Sequence, residues 1–259
     1  IAPFLLVKRL MGQYIIIDMP SPIITALDEI RMQAFSSRSK IIRLLVVIFS
    51  FPWVLYPANK VLQYSYESSY FLFGIRNKTQ LIANGIDVSS IALQKKISDW
   101  PVNKFVLIGV ASLASWHGFD RIIRGIAEYY ETKTDDRPDI EFLIVGDGAI
   151  RNEWEQLVNH LKLTTHVKFL GYLSGEKLNN SFENAHIGIS SIGAYRKGLK
   201  LASDLKSREY TARGIPFLSS VADPDFSRQT EFVLRVKNDN SSIVIADVIT
   251  WYSEISRKK

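Results

Sequence analysis

The most concentrated chemistry in this sequence lies in Ser203-Asp-Leu-Lys-Ser-Arg-Glu-Tyr-Thr-Ala-Arg-Gly-Ile-Pro216. Ser203 suits a helix N-cap and Asp204 the first turn, while Gly214 ends the helix and Pro216 prevents its continuation. The first turn of such a helix offers unpaired amides and a positive dipole end, which favour a phosphate. Lys206 and Glu209, spaced i, i+3, share a face about 4.5 Å apart along the axis. A cation near the helix start can meet a diphosphate, and a carboxylate one turn deeper can accept ribose hydroxyls. By residue type alone, the same segment also describes a surface helix with an ion pair. The surrounding elements have to decide.

From residue 103 onward, apolar strands alternate with amphipathic helices. Strands are expected at 104–109, 140–145, 166–170, 186–190, 216–219 and 232–236. Helices are expected at 119–131, 150–163, 176–185, 204–213 and 242–255. That alternation means an α/β fold, a parallel doubly wound sheet with helices on both faces. Such sheets bind ligands beyond the carboxyl ends of their strands, where the 204–213 helix begins. Residues 1–100 follow the same grammar incompletely, with strands at 14–19, 60–64 and 80–83 and helices at 22–35 and 39–56. The chain opens Ile-Ala-Pro-Phe without Met, and its first strand sits in mid-architecture, so an N-terminal portion is expected to be missing.

A length of 259 residues with 47% hydrophobic and 22% charged residues fits one large or two modest folded domains and excludes disorder. With no cysteine, disulfides and thiolate metal sites are excluded. A cytoplasmic location is the default expectation, since no signal peptide is evident. The net charge of +6 is uneven: residues 1–100 hold 11 Lys/Arg against 6 Asp/Glu, and the remainder 21 against 20. The excess flanks the apolar run at 41–57. Two readings stand for that run: contact with an anionic membrane, at the inner face of the plasma membrane, or a buried core helix. Arg43 and Pro52 leave too short an uncharged stretch for a spanning helix. No basic stripe interleaved with exposed aromatics supports nucleic-acid binding. Asp135-Asp136 reads as a solvated turn, and His160, His166 and His186 lack metal-ligand spacing, so no metal site is expected.

Several landmarks occur in order: Asn84-Gly-Ile-Asp87, Ala114-Ser-Trp-His-Gly-Phe-Asp-Arg121, Ile144-Val-Gly-Asp-Gly148, Val167-Lys-Phe-Leu-Gly171, and Leu205 to Pro216. With them, the chain from Tyr14 to its end resembles the family 4 glycosyltransferases of the GT-B fold. The resemblance implies two Rossmann-like domains, the N-terminal one only partly present. It places the acceptor-side part at 1–100, the donor domain at 101–241, and a C-terminal helix at 242–259 packing back toward the first domain. It also implies transfer from a nucleotide diphosphate-sugar to a polysaccharide or lipid-linked acceptor, with retention at the anomeric carbon and no metal or cofactor.

Carried onto this chain, the resemblance puts Glu209 on the donor ribose. Its usual companion eight positions upstream falls on Leu201, so a Glu-x7-Glu pair is broken. The family's Arg and Lys in the loop after the first donor-domain strand fall on Ser112 and His117. The diphosphate is therefore expected to be met by His117, Lys206 and the helix amides, with Gly118 allowing close backbone approach. Gly146 and Gly148 would form a tight turn beside the donor, and Gly171, Tyr172 and Leu173 would frame the nucleobase. Ser190, Ser191 and the loop 192–202 would approach the phosphates or sugar, with Arg196, Lys197 and Lys200 as candidate contacts. Ser203, Asp204 and Leu205 would start the donor-binding helix. A non-catalytic GT-B protein and a GT-B nucleotide-sugar epimerase are the alternatives.

Overall fold

The computed structural model describes residues 2–19, 37–64, 76–94 and 101–258. The helix expected at 22–35 lies outside them. The chain divides into two units, Ile1–Asn84 with Leu201–Ser203, and Gly85–Lys200 with Asp204–Lys259. The main segment of the first unit ends at Asn84.

In the smaller unit, α1 (Ala2–Leu10), which the sequence reading did not anticipate, packs against α2 (Ser37–Leu55). Strands β1 (Ile16–Met19), β2 (Lys60–Gln63) and β3 (Thr79–Leu81) form a parallel sheet in the order β1-β2-β3. Its small core gathers Met19, Leu55, Ala58 and Val61. By contrast, Ile42, Leu45, Val46, Phe49 and Trp53 of α2 are exposed, the last two at 70% and 69%. Spaced at helical intervals, they form one apolar stripe. These side chains are exposed among the described residues.

The larger unit holds β4 (Lys104–Val110), α3 (Phe119–Glu131), β5 (Asp139–Val145), α4 (Arg151–His160), β6 (Val167–Gly171), α5 (Gly175–Phe182), β7 (Ile187–Ile189), α6 (Leu205–Arg213), β8 (Phe217–Ser219), β9 (Val233–Arg235) and α7 (Ile245–Arg257). Its six strands are all parallel, in the order β6-β5-β4-β7-β8-β9. The order reverses between β4 and β7, the place where a crevice opens in such sheets. Buried runs such as Phe105 to Ile108 explain why both sheet faces need helical cover. Apolar helix faces supply it: Phe119, Ile122, Ile123 and Ile126 of α3 on one side, Tyr210 of α6 on the other. Val248 and Tyr252 of α7 are buried in this unit's own core. The last helix therefore packs within the larger unit.

Candidate functional site

Three segments meet above the β4/β7 switch point: the loop 111–118 after β4, the loop 190–194 after β7, and the start of α6. Glycines let the backbones touch. Gly118 has φ +74, and a Cβ there would lie 2.5 Å from Gly193 N. Gly146 has φ +118, and a Cβ there would fall 1.8 Å from Ala111 O, while one on Gly148 would fall 2.2 Å from Leu113 O. Hydrogen bonds from Ala111 N to Val145 O and from Leu113 N to Asp147 O stitch the same two loops. Gly146 and Gly148 thus shape the floor of the site by close packing. Asp147 stays exposed and pairs with Arg151.

Two arginines, Arg121 buried and Arg196 half-buried, fix the loops further. Arg121 donates through Nη1 to Ile192 O and through Nε to Ser241 O at 2.6 Å. Arg196 grips Asp120 with two bonds of 2.8 and 2.7 Å and donates to Ser115 O at 2.5 Å. Its guanidinium is directed into the scaffold, so the geometry favours a bracing role over the phosphate contact expected from sequence. Lys197 lies 3.6 Å over the Trp116 ring, a cation–π contact at the rim of the same loop.

Helix α6 is held under this crevice by Tyr210. Its hydroxyl donates to Ile189 O at 3.1 Å and accepts from Val110 N at 3.4 Å, bridging the ends of β7 and β4. Gly188 makes room, because a Cβ there would sit 2.6 Å from the Tyr210 ring. Arg208 clamps the far side of α6 to Asp223 and Asp225. The observed N-cap is Asp204, in extended conformation, rather than Ser203. Asp204 makes no side-chain capping bond; its carboxylate instead accepts from Ser190 Oγ at 3.3 Å. Ser190 Oγ also lies 2.8 Å from Ser207 Oγ. The first-turn amides of α6, including those of Leu205 and Lys206, therefore lack a side-chain cap and suit an anion. Ser203 belongs to the smaller unit, where it receives bonds from the backbone and side-chain amides of Asn84.

Lys206 is half-buried and points into the crevice wall. Its ammonium is 2.8 Å from His117 Nδ1 and 3.3 Å from Ser191 Oγ. His117 Nε2 is 2.9 Å from Ser112 O. Burial lowers the Lys206 pKa, with Asp204 acting in the opposite sense. Burial, then the Lys206 charge, holds His117 well below its ordinary value, so the ring is neutral near pH 7. The two side chains expected to meet the diphosphate are thus in direct contact.

Glu209 lies one turn deeper on α6, as expected, but makes no ion pair with Lys206. Its Oε1 accepts two bonds from Arg213, at 3.0 and 2.8 Å. Arg213 is itself buried against Phe182, 4.1 Å from the ring centroid, and bonded to Asn179 Oδ1 at 3.0 Å. The i, i+4 spacing of Glu209 and Arg213 was visible in the sequence, but the burial that makes Arg213 a holder of Glu209 was not. Gly171 adopts φ +69 and its carbonyl accepts from Gly146 N at 2.7 Å. Beyond it, Tyr172 is 80% exposed and Leu173 packs partly on the core of α5 and α6. Among the described residues, no three of His, Asp or Glu converge as metal ligands.

A cation, uncapped helix amides and a held carboxylate thus stand at the switch point of a parallel doubly wound unit, groups of the kind that can receive a nucleotide. Residues 90–193 match the family Glycosyl transferases group 1. The chain is 26% identical over 106 residues to the uncharacterized glycosyltransferase MJ1059 of Methanocaldococcus jannaschii; the match covers 38% of this chain and 24% of that protein. It thus spans about a quarter of that relative's length. Among solved structures, it is similar to Anabaena Alr3699/HepE in complex with UDP, with a TM-score of 0.63, 15% identity, and coverage of 99% of this chain and 71% of that one. It is also similar to sucrose-phosphate synthase from Thermosynechococcus elongatus, with a TM-score of 0.64, 18% identity, and coverage of 97% and 64%. The fold is GT-B, and residues 90–193 are similar to the group 1 glycosyltransferases.

Proposed function

We propose that the chain belongs to an enzyme that transfers a sugar, with retention, from a nucleoside diphosphate-sugar to a saccharide or lipid-linked acceptor in surface polysaccharide assembly. One observation carries this reading: the Lys206 ammonium and the uncapped amides of α6 share the switch-point crevice with Glu209 one turn deeper. The ammonium and amides would meet the diphosphate, and Glu209 the ribose hydroxyls. As the bond between the anomeric carbon and the phosphate oxygen breaks, the leaving nucleoside diphosphate keeps the electron pair. A fixed cation and fixed dipoles stabilise that growing charge without reorganising solvent. The acceptor oxygen forms the new bond to the anomeric carbon from the same face, its hydroxyl proton passes to the departing phosphate oxygen, and no metal is needed.

The reading also includes contact with an anionic membrane. The exposed stripe of α2 is flanked by Arg38, Lys40 and Arg43, and the exposed Phe4, Val7 and Leu10 of α1 by Lys8 and Arg9. Apolar side chains beside cations suit the headgroup boundary of acidic bilayers. No helix among the described residues is long and apolar enough to cross a membrane. The location would be the cytoplasmic face of the plasma membrane.

Incubating the protein with UDP-, GDP- and ADP-sugars and lipid extract tests the activity. Labelled sugar in the lipid or polysaccharide fraction, lost in Glu209→Ala, supports it. Donor binding with no transfer and no hydrolysis favours the non-catalytic alternative, for which Leu201 in the usual glutamate position is the supporting feature. Epimerised donor sugar favours the epimerase. Co-sedimentation with phosphatidylglycerol vesicles but not phosphatidylcholine vesicles supports the membrane contact, and equal recovery in both supernatants contradicts it.

A further inference from the structure

His117 stands where a donor to the phosphates was expected, yet its geometry gives it another task. Ser112 O can only accept a hydrogen bond, so the proton on His117 belongs to Nε2, 2.9 Å away. An ammonium can only donate, so Nδ1, 2.8 Å from Lys206 Nζ, must be the acceptor. Both ring nitrogens are therefore committed, and the imidazole has no N–H left for a ligand. Lys206 is different: two of its three N–H donors face His117 and Ser191, and among the described residues the third is unbonded.

We propose that His117 is a positioning residue that acts through Lys206, serving as a neutral, fixed acceptor that aims the ammonium at the diphosphate. The inference rests on the donor-site reading above. A lysine side chain carries much rotamer freedom, and a fixed acceptor removes that freedom before the ligand arrives. The choice of a neutral acceptor matters. A carboxylate at this position would hold the ammonium equally well but cancel the charge the diphosphate needs. Asp204 is the nearby carboxylate; it favours the charged form of Lys206, while its Oδ2 accepts from Ser190 Oγ.

The bracket holding His117 is rigid. Its backbone amide donates to Ala114 O at 3.0 Å, and its carbonyl accepts from Ile192 N at 3.3 Å. The rings of Trp116 and Phe119 lie on either sequence side, each 6.0 Å away between centroids. Gly118 then presses the loop onto Gly193. The charged groups facing the imidazole are Lys206 from α6 and Lys197 from the short helix Ala194–Lys197, both positive. Protonation would remove the acceptor and set a third cation beside them.

Two variants separate the proposal from its rivals. His117→Asn keeps an acceptor at the Nδ1 position; His117→Gln keeps a donor toward Ser112 O and loses that acceptor. Calorimetric titrations at pH 7.5 with UDP, GDP, ADP and their nucleosides provide the readout. For each diphosphate that the wild type binds, His117→Asn is expected to stay within about threefold, and His117→Gln to weaken binding about tenfold. Nucleoside affinity is expected to hold in both. In a Lys206→Met background, neither His117 variant should weaken binding further, because the interaction it serves is already gone. Unchanged diphosphate affinity in His117→Gln, or a loss that persists in the Lys206→Met background, overturns the proposal while leaving the donor site standing. A wild type that binds none of the three diphosphates overturns the donor-site reading itself. Independently of any ligand, nitrogen-15 histidine spectra should show His117 at pH 7 as the neutral Nε2–H form; an imidazolium or an Nδ1–H form contradicts it.

Discussion

Replacing Lys206 by Met would remove one charge while keeping much of the side chain's apolar bulk. The ammonium has one N–H directed at neither His117 nor Ser191, so one charge-assisted bond to a phosphate oxygen is lost. Such a bond is worth about 1.5–3 kcal/mol net. At an effective dielectric of about 20, the bare attraction at 4 Å is about 4 kcal/mol, part of which is offset by stripping water from the ligand. A net loss of roughly 2–3 kcal/mol corresponds to about a 30- to 150-fold rise in the Kd for a nucleoside diphosphate. Folding should respond in the opposite direction. Burial already disfavours the charged Lys206, so Met is expected to leave stability unchanged or raise it by about 1 kcal/mol. Calorimetry with UDP, GDP and ADP, each beside its nucleoside, measures the first effect, and urea unfolding the second. An equal loss for the bare nucleosides, or an unchanged diphosphate affinity in a folded variant, would refute the reasoning.

Other perturbations probe the frame around the site. Arg213→Gln removes the two bonds that hold Glu209 Oε1; nucleoside affinity should fall about three- to tenfold and urea-measured stability by about 2–4 kcal/mol. Gly146→Ala should cost more than about 4 kcal/mol by thermal unfolding, since its Cβ would meet Ala111 O at 1.8 Å. Gly198→Ala, also at positive φ but in open space, should cost only about 1–2 kcal/mol. His186 supplies a pH test: burial pushes its pKa from 6.5 down to about 4, while Nδ1 accepts from Val106 N at 3.0 Å. Because the folded-state value is depressed, its contribution is intact above pH 6.5 and is lost as pH falls toward 4, by about 3 kcal/mol in total. Unfolding curves across that range should show the slope, and His186→Asn should remove it.

Periodicity located the sheet of the larger unit almost strand for strand, because a parallel sheet covered on both faces writes continuous apolar runs into the chain. The α6 segment was equally readable from Gly214, Pro216 and the spacing of Lys206 and Glu209. Its N-cap shifted by one residue because Ser203 is held by Asn84, a partner 119 positions away that local propensity cannot show. The same limit explains the partners of the charged groups. Arg196 looked like a loop cation until Asp120, 76 residues earlier, proved to hold it. His117 looked like a ligand donor until Lys206, 89 residues later, took its free nitrogen. Helix α1 went unread because Ala2–Leu10 is short and carries no capping residue.

The central claim is that a nucleoside diphosphate binds at the start of α6. A crystal structure of the protein with UDP or GDP bound tests it most directly. The account predicts phosphate oxygens about 3 Å from Lys206 Nζ and the first amides of α6, with ribose hydroxyls on Glu209. A nucleotide bound elsewhere on the larger unit, with Lys206 and Glu209 untouched, would contradict it.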